Sequence, residues 1–223
     1  MPAPRKKPAA KLSDKPAAAG RQDRHRGKRR NREVVGAAAK VFLRRGYADA
    51  SVQDVADELG ILKGSLYYYI STKEDLLFWL LEEVHEEVER LLHEVEALEG
   101  LAPLERLREY VRRQVAYNAS NLAKISVYYH DIEQLGDERR RDMQRRRKTH
   151  ERFVTALIKD AQARGEIDAG ADPRVLANCV FAVIIWCYRW YTPGGRVKRQ
   201  ELADMLAAFT VGGLVSGTLT QAA

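Results

Sequence analysis

A chain of 223 residues is long enough for one two-part unit with a sizeable core. Seven prolines and fifteen glycines are few, and no strand-like alternation runs far, which predicts an all-α protein. The net charge of +7 is unevenly placed: residues 1–32 hold twelve Lys or Arg against Asp14 and Asp23, a balance of +10, so the rest of the chain sums to −3.

Residues 1–28, rich in Pro, Ala, Lys and Arg, cannot bury enough apolar surface to fold and are expected to form a disordered basic arm. The stretch has no apolar core, so it is not a secretory signal, and its prolines argue against an amphipathic transit helix. For residues 1–20 two readings stand: an arm adding nonspecific attraction to DNA and reaching the minor groove, or a solvated leader. From Arg21 to Arg32 the DNA reading is favoured, because this stretch leads directly into the first helix of the next domain.

Residues 29–75 carry the most information. Ser51 and Asp54 have capping-box spacing, and Val52, Val55, Ala56 and Leu59 recur as one buried helical stripe. Gly60 follows where a left-handed C-cap favours glycine. A second short helix is predicted from near Leu62, burying Leu66 and Ile70 and stopping before Ser71. Two such helices form a helix-turn-helix, whose second helix lies in the major groove of DNA. Lys63 and Ser65 in its first turn, with Gln53 on the helix before, are the candidates for base edges, and Gly64 lets the backbone approach closely. Tyr67, Tyr68 and Tyr69 place three rings on one short helix, so at least one faces out, and their hydroxyls suit phosphate. Ser71 and Glu74 have the spacing of a second capping box, which puts Lys73 in the next helix's first turn as a phosphate ligand. A solvated hairpin with tyrosines packed on a neighbour is the competing reading; two caps, the turn glycine and the basic-aromatic pattern agree against it.

Residues 30–80 resemble the DNA-binding domain of the TetR family of bacterial transcriptional repressors. The resemblance is carried by Ala37-Ala38-Ala39-Lys40-Val41-Phe42, Arg45-Gly46-Tyr47, Val55 to Ile61, Lys63 to Tyr69 and Ser71 to Leu77. It implies a three-helix head on an all-helical ligand-binding body, acting as a homodimer on double-stranded DNA. Tyr69 stands where the family very often has His, and Ile70 where Phe is common; the tyrosine bears on a DNA-backbone contact.

Residues 76–223 are predicted to be the ligand-binding and dimerisation body, giving about nine helices in all. Lys73 to about Leu98 is one long helix joining head and body. Further helices are expected from Pro103 to about Ser120, over 121–135, from Asp137 to Arg164, from Asp172-Pro173 to about Tyr191, and from Lys198 to Leu214. Val175 to Tyr191 is apolar almost all round, and the last helix offers Leu202, Met205, Leu206, Phe209 and Val211 with Gly212 and Gly213. These two are the expected dimer interface, the alternative being that they only complete the monomer core. Cys179 and Cys187 lie eight apart on one helix, pointing along a similar face; they form neither a disulfide nor a metal pair and read as reduced cytoplasmic thiols. Val180 to Tyr188 is too short to span a bilayer, so no membrane partner is expected.

The effector site is expected around Trp186, Tyr188, Arg189 and Trp190. An arginine among so many aromatics needs an anionic or carbonyl partner, either a protein carboxylate such as Asp131 or Glu133, or a ligand. Residues Tyr128-Tyr129-His130-Asp131, Arg145 to Phe153 and Trp186 to Gly195 are similar to TetR regulators of fatty-acid and sterol-ring degradation, which respond to acyl-coenzyme A thioesters. That resemblance implies an apolar tunnel lined by Tyr128, Trp186 and Trp190, with the coenzyme's phosphates on the arginines of 139–148, including Arg145 and Arg146. Of the five histidines, which read most simply as surface or core residues, His130 is the one candidate for facing the ligand. By itself this basic run reads as a solvated helix face. No metal, cofactor or catalytic pattern appears: His85-Glu86-Glu87 and His93-Glu94 lack a second histidine at i+4. The expected function is a repressor that binds a palindromic operator as a dimer and is released by a hydrophobic effector. The alternative is a constitutive architectural DNA-binding protein without an effector, which would show steep salt dependence and poor sequence preference.

Overall fold

In a computed structural model of the chain, residues 17–215 are described, with side chains from Asn31 onward. Helix α1 (Ala17–Arg45) buries Val34, Val35, Ala37, Ala38, Ala39, Val41 and Phe42. Three small alanines on that stripe let it lie close to its neighbours. Composition places residues 17–28 in an arm, but they form the first turns of α1. Ala, Arg, Lys and Gln all favour helix, and growth from a packed helix needs no new nucleus. Residues 1–16 of the expected arm lie outside the described residues.

The head follows. Helix α2 (Val52–Leu59) starts at Ser51, whose side chain and that of Asp54 form the reciprocal cap that the spacing predicts, and it ends at Gly60, left-handed at φ 66°. Helix α3 (Lys63–Leu66) is a single turn; Tyr67 to Tyr69 continue it as a turn rather than a regular helix. Leu66 and Ile70 still anchor it in the core, as their spacing requires. Helix α4 (Lys73–Glu96) is capped one residue later than its sequence spacing suggests, by Thr72 and Asp75. Glu74 is turned instead to the backbone N–H of Gly136 and to Arg139.

The body consists of α5 (Pro103–Ser120), α6 (Leu122–Asp131) with a 3-10 turn over Ile132–Gln134, α7 (Asp137–Ala163), α8 (Pro173–Trp190) and α9 (Arg199–Val215). Nine helices and no strand are found among the described residues. Helix α5 is the body's axis, packed against α4, α7, α8 and α9, with Leu107, Tyr110, Val111 and Val115 fully buried. No helix among the described residues is long and apolar enough to cross a membrane.

Two buried cores result, and α4 belongs to both. Its first half, Leu76 to Val88, joins α1, α2 and α3 together with Ile125, Val127 and Tyr128 of α6. Its last turns, Leu91, Leu92 and Val95, join α5, α7, α8 and α9. The outer faces of α8 and α9 leave Val175, Trp186, Trp190, Met205 and Phe209 exposed, the last at 70 %, and Val175 and Phe209 line an apolar groove of about 490 Å³ between the two helices. The two cysteines do not share an environment: Cys179 lies in that groove while Cys187 is fully buried, since eight residues along a helix turn a side chain well off the starting face.

The turn between α3 and α4 is held by one carboxylate. Asp75 accepts from the N–H groups of Ser71 and Thr72 at 2.9 and 2.8 Å and from Arg139 at 2.5 Å. Burial opposes its ionisation, but the Arg139 and backbone hydrogen bonds outweigh burial and hold it at about 2. Its contribution is therefore present above the unfolded value near 4 and is lost as pH falls towards 2. Asp75→Ala should lower unfolding stability by about 1–3 kcal/mol in urea melts at pH 7. The difference from wild type should shrink below pH 4.

Candidate DNA-binding surface and effector cavity

The head presents the expected surface. Gln53, Lys63 and Gly64 are exposed and Ser65 is half-buried. Tyr67, Tyr68 and Tyr69 all project outward, Tyr68 at 91 %. Lys63 Nζ stands 5.8 Å from the Tyr67 ring centre, and Gln53 Nε2 donates to Asp57 at 2.7 Å, so both polar ends lie on the outer side of α2 and α3. Lys73 departs from its expected role. Its ammonium donates to the carbonyls of Tyr47, Ala48 and Ala50 at 2.8–3.0 Å and sits over the Tyr47 ring. Those carbonyls follow the left-handed Gly46 that ends α1, where no helical donor remains. Lys73 therefore ties the loop to α4 and is not a free phosphate ligand; Glu74 and Asp75 beside it add negative charge.

A cavity of about 80 Å³ lies where the two cores meet, enough for roughly five waters. Its wall is built from five helices: Val84, His85 and Val88 of α4, Gln114 and Asn118 of α5, Ile125, Tyr128 and Tyr129 of α6, Arg147, His150 and Glu151 of α7, and Asn178, Phe181 and Ile185 of α8. Both of its histidines pair with a tyrosine, His85 with Tyr128 in the same wall and His150 with the buried Tyr110 behind it. His85 Nε2 meets the Tyr128 hydroxyl at 3.1 Å, and His150 Nε2 makes a short contact with the Tyr110 hydroxyl. Burial pushes both histidines down to about 4, with Arg146 and Arg147 adding to the effect on His85, and His85 and Arg147 on His150. Both rings are thus neutral at pH 7, each with one donor and one acceptor nitrogen. Burial likewise pushes the Tyr128 hydroxyl up to about 12.

Beyond Glu151, Asn178 and Phe181, which belong to both, the cavity adjoins an open groove of about 420 Å³ between α7 and α8. Lys148, Arg152, Lys159 and Arg174 line it, and none of the four has a carboxylate partner among the described residues.

Of the expected ligand residues, Tyr128 is in the cavity wall. The others are elsewhere. Trp186 and Trp190, 60 % and 52 % exposed, lie on the outer face of α8, because positions 186 and 190 fall opposite Phe181 and Ile185 on that helix. His130 and Arg189 are exposed partners of each other at 3.2 Å, and Arg189 stands over Trp186, so it pairs with neither Asp131 nor Glu133. Arg145 makes only an exposed pair with Asp142 within α7, while Arg146 reaches Glu82 and Glu89 of α4 as well as Asp142 and so ties the two helices together; neither lines the cavity. Arg147, the next residue, reaches the cavity instead. The sequence reading missed His85, Gln114, Asn118 and His150. Their signal was present: Gln114 and Asn118 flank Val115 on the buried stripe of α5, and His85 stands between Leu81 and Val88 on that of α4.

The buried histidines make stability pH-dependent. Their folded values lie below the unfolded one, so stability is full above about pH 6.5 and falls as pH drops towards 4. Melting temperature measured from pH 7.5 to 4.5 should show this loss. His85→Gln and His150→Gln should each flatten it, whereas an unchanged profile in both would contradict the neutral, buried assignment.

Residues 34–79 match the domain family described as bacterial regulatory proteins, tetR family, and residues 100–214 that described as tetracyclin repressor-like, C-terminal domain. HTH-type transcriptional repressor KstR2 of Rhodococcus jostii (strain RHA1) is 29 % identical over 194 residues, covering 84 % of this chain and 92 % of the relative. KstR2 of Mycobacterium tuberculosis (strain ATCC 25618 / H37Rv) is 26 % identical over 200 residues, covering 83 % and 92 %. The crystal structure of AibR in complex with isovaleryl coenzyme A and operator DNA superposes with a TM-score of 0.73 at 28 % identity, covering 83 % of this chain and 98 % of that one.

Proposed function

The chain belongs to the TetR family of bacterial regulatory proteins, and we propose that it is a dimeric repressor released from a palindromic operator by an acyl-coenzyme A thioester. The observation that carries this reading is a cavity that shares Glu151, Asn178 and Phe181 with a groove bearing four cations without a carboxylate partner among the described residues. An acyl group fits the first and the coenzyme's phosphates fit the second, through Lys148, Arg152, Lys159 and Arg174. The isovaleryl coenzyme A bound to AibR supports the ligand class. Two copies would pair through the exposed apolar faces of α8 and α9, with Phe209, Met205 and Trp186 as anchors. Each copy would then offer one α3 to one half-site.

Signal passes along two routes that start in the cavity wall. Tyr128 of α6 belongs to the head's core, and α6 packs on α1. His85 lies on α4, three turns from its cap at Asp75. A ligand that fits one setting of these helices better than the other shifts the population between them.

Charge reversal at Arg152 or Arg174 should weaken thioester binding about tenfold or more while leaving operator affinity without effector unchanged, as measured by calorimetry and fluorescence anisotropy. Equal thioester affinity in wild type and both variants would remove the coenzyme from this groove. On the DNA side, Lys63→Ala should lose about 1–3 kcal/mol of discrimination at one base pair. Binding to random-sequence DNA should change much less. Parallel losses on both DNAs would take Lys63 away from the bases.

A further inference from the structure

Two buried side-chain atoms lack a partner among the described residues, the Tyr117 hydroxyl and Gln114 Oε1; the second belongs to the cavity wall, and its chemical identity is fixed by the backbone. The carbonyl oxygen of Ile184 can only accept, so Asn118, 3.0 Å away, must turn its amide nitrogen towards it. Asn118 Oδ1 then faces Gln114, which must answer with its own nitrogen, also at 3.0 Å. What remains is Gln114 Oε1, an acceptor on a side chain 3 % exposed, with no donor among the described residues. Turning over either amide would set oxygen against oxygen, so the polarity of the pair cannot be reversed.

Nearby groups do not fill the gap. The Tyr128 and Tyr110 hydroxyls are engaged with His85 and His150. Oε1 has no water-accessible surface in the free protein, so the acceptor stays bare until a group entering the cavity shifts the wall enough to meet it. A hydrocarbon end would leave the oxygen bare, and a ketone would set a second acceptor against it. A hydroxyl supplies the missing donor. Sites organised around a hydrogen bond reject analogues that lack it far more strongly than an apolar pocket rejects a methylene.

We infer that the effector is a hydroxyacyl thioester whose hydroxyl donates to Gln114 Oε1, making Gln114 the residue that sets effector specificity. This rests on the acyl-coenzyme A reading above and narrows it.

The test compares 3-hydroxybutyryl-, butyryl- and acetoacetyl-coenzyme A, which share chain length and differ at one carbon. Calorimetry should give the hydroxy compound a Kd at least tenfold below the other two, with operator release in the same order. In Gln114→Leu that preference should vanish or reverse in favour of butyryl. Equal affinities in wild type, or an unchanged preference in Gln114→Leu, would overturn the inference; the wild-type comparison stands even if the variant folds poorly. Should none of the three bind, the coenzyme reading fails, and probes without coenzyme decide the Gln114 assignment separately. Cyclopentanol raising the melting temperature more than cyclopentanone, with the difference lost in Gln114→Leu, would uphold it. Equal or absent shifts would overturn it.

Discussion

The carboxylate of Asp75 joins three parts of the molecule that must agree. It caps α4, receives the chain leaving α3, and accepts Arg139 from α7. The exposed turn of α3 has only Leu66 and Ile70 as buried anchors, so its orientation depends on where that junction is held. Arg139 also covers the ring of Phe78 and touches Glu74, which fixes the start of α7 against the start of α4. Eight to twelve residues further along, the same α7 supplies Arg147, His150 and Glu151 to the cavity. Two rigid helices thus run from the cavity to the α3–α4 junction, and neither can turn without moving the other's contact.

Charge is sorted along this path. Inside, the histidines and tyrosines are neutral, the first pushed down and the second up by burial, and the wall's two charges, Arg147 and Glu151, pair with each other. At the groove between α7 and α8 four cations without a carboxylate partner among the described residues, Lys148, Arg152, Lys159 and Arg174, stand against Glu151, which Arg147 pairs. Unpaired cations on a surface cost little because water solvates them, whereas an unpaired acceptor inside is expensive. On the proposed reading, the groove would hold attraction in reserve for phosphate and the cavity would hold selectivity. An architectural DNA-binding protein has no need of either, and steady occupation of DNA would not require a polar void between two cores.

Local signals made most of the fold legible. Ser51, Asp54 and Gly60 mark α2 because a cap depends on residues three apart. Pro103 and Asp172-Pro173 mark α5 and α8 for the same reason. Lys73 misled because position in a first turn says nothing of a loop 26 residues earlier whose carbonyls need a donor. Trp186 and Trp190 misled in another way: aromatic density marks any surface that will be covered, whether by ligand or by a second copy. The cavity residues were missed because single polar positions in apolar stripes are spread over five helices, and only the tertiary arrangement converges them. Gln114, His85 and His150 are separated by up to 65 residues in sequence yet share one wall.

The central claim is that cavity and head share one conformational equilibrium. The most direct measurement is the affinity of the best-binding short acyl-coenzyme A for the protein alone and for the protein on an operator selected from random-sequence DNA. Linkage requires the thioester to bind the operator complex more weakly, by the same factor by which it weakens operator binding. A factor of at least five in both directions is the predicted result. Equal thioester affinity with and without operator would contradict the account, because occupation of the cavity would then carry no information to α3.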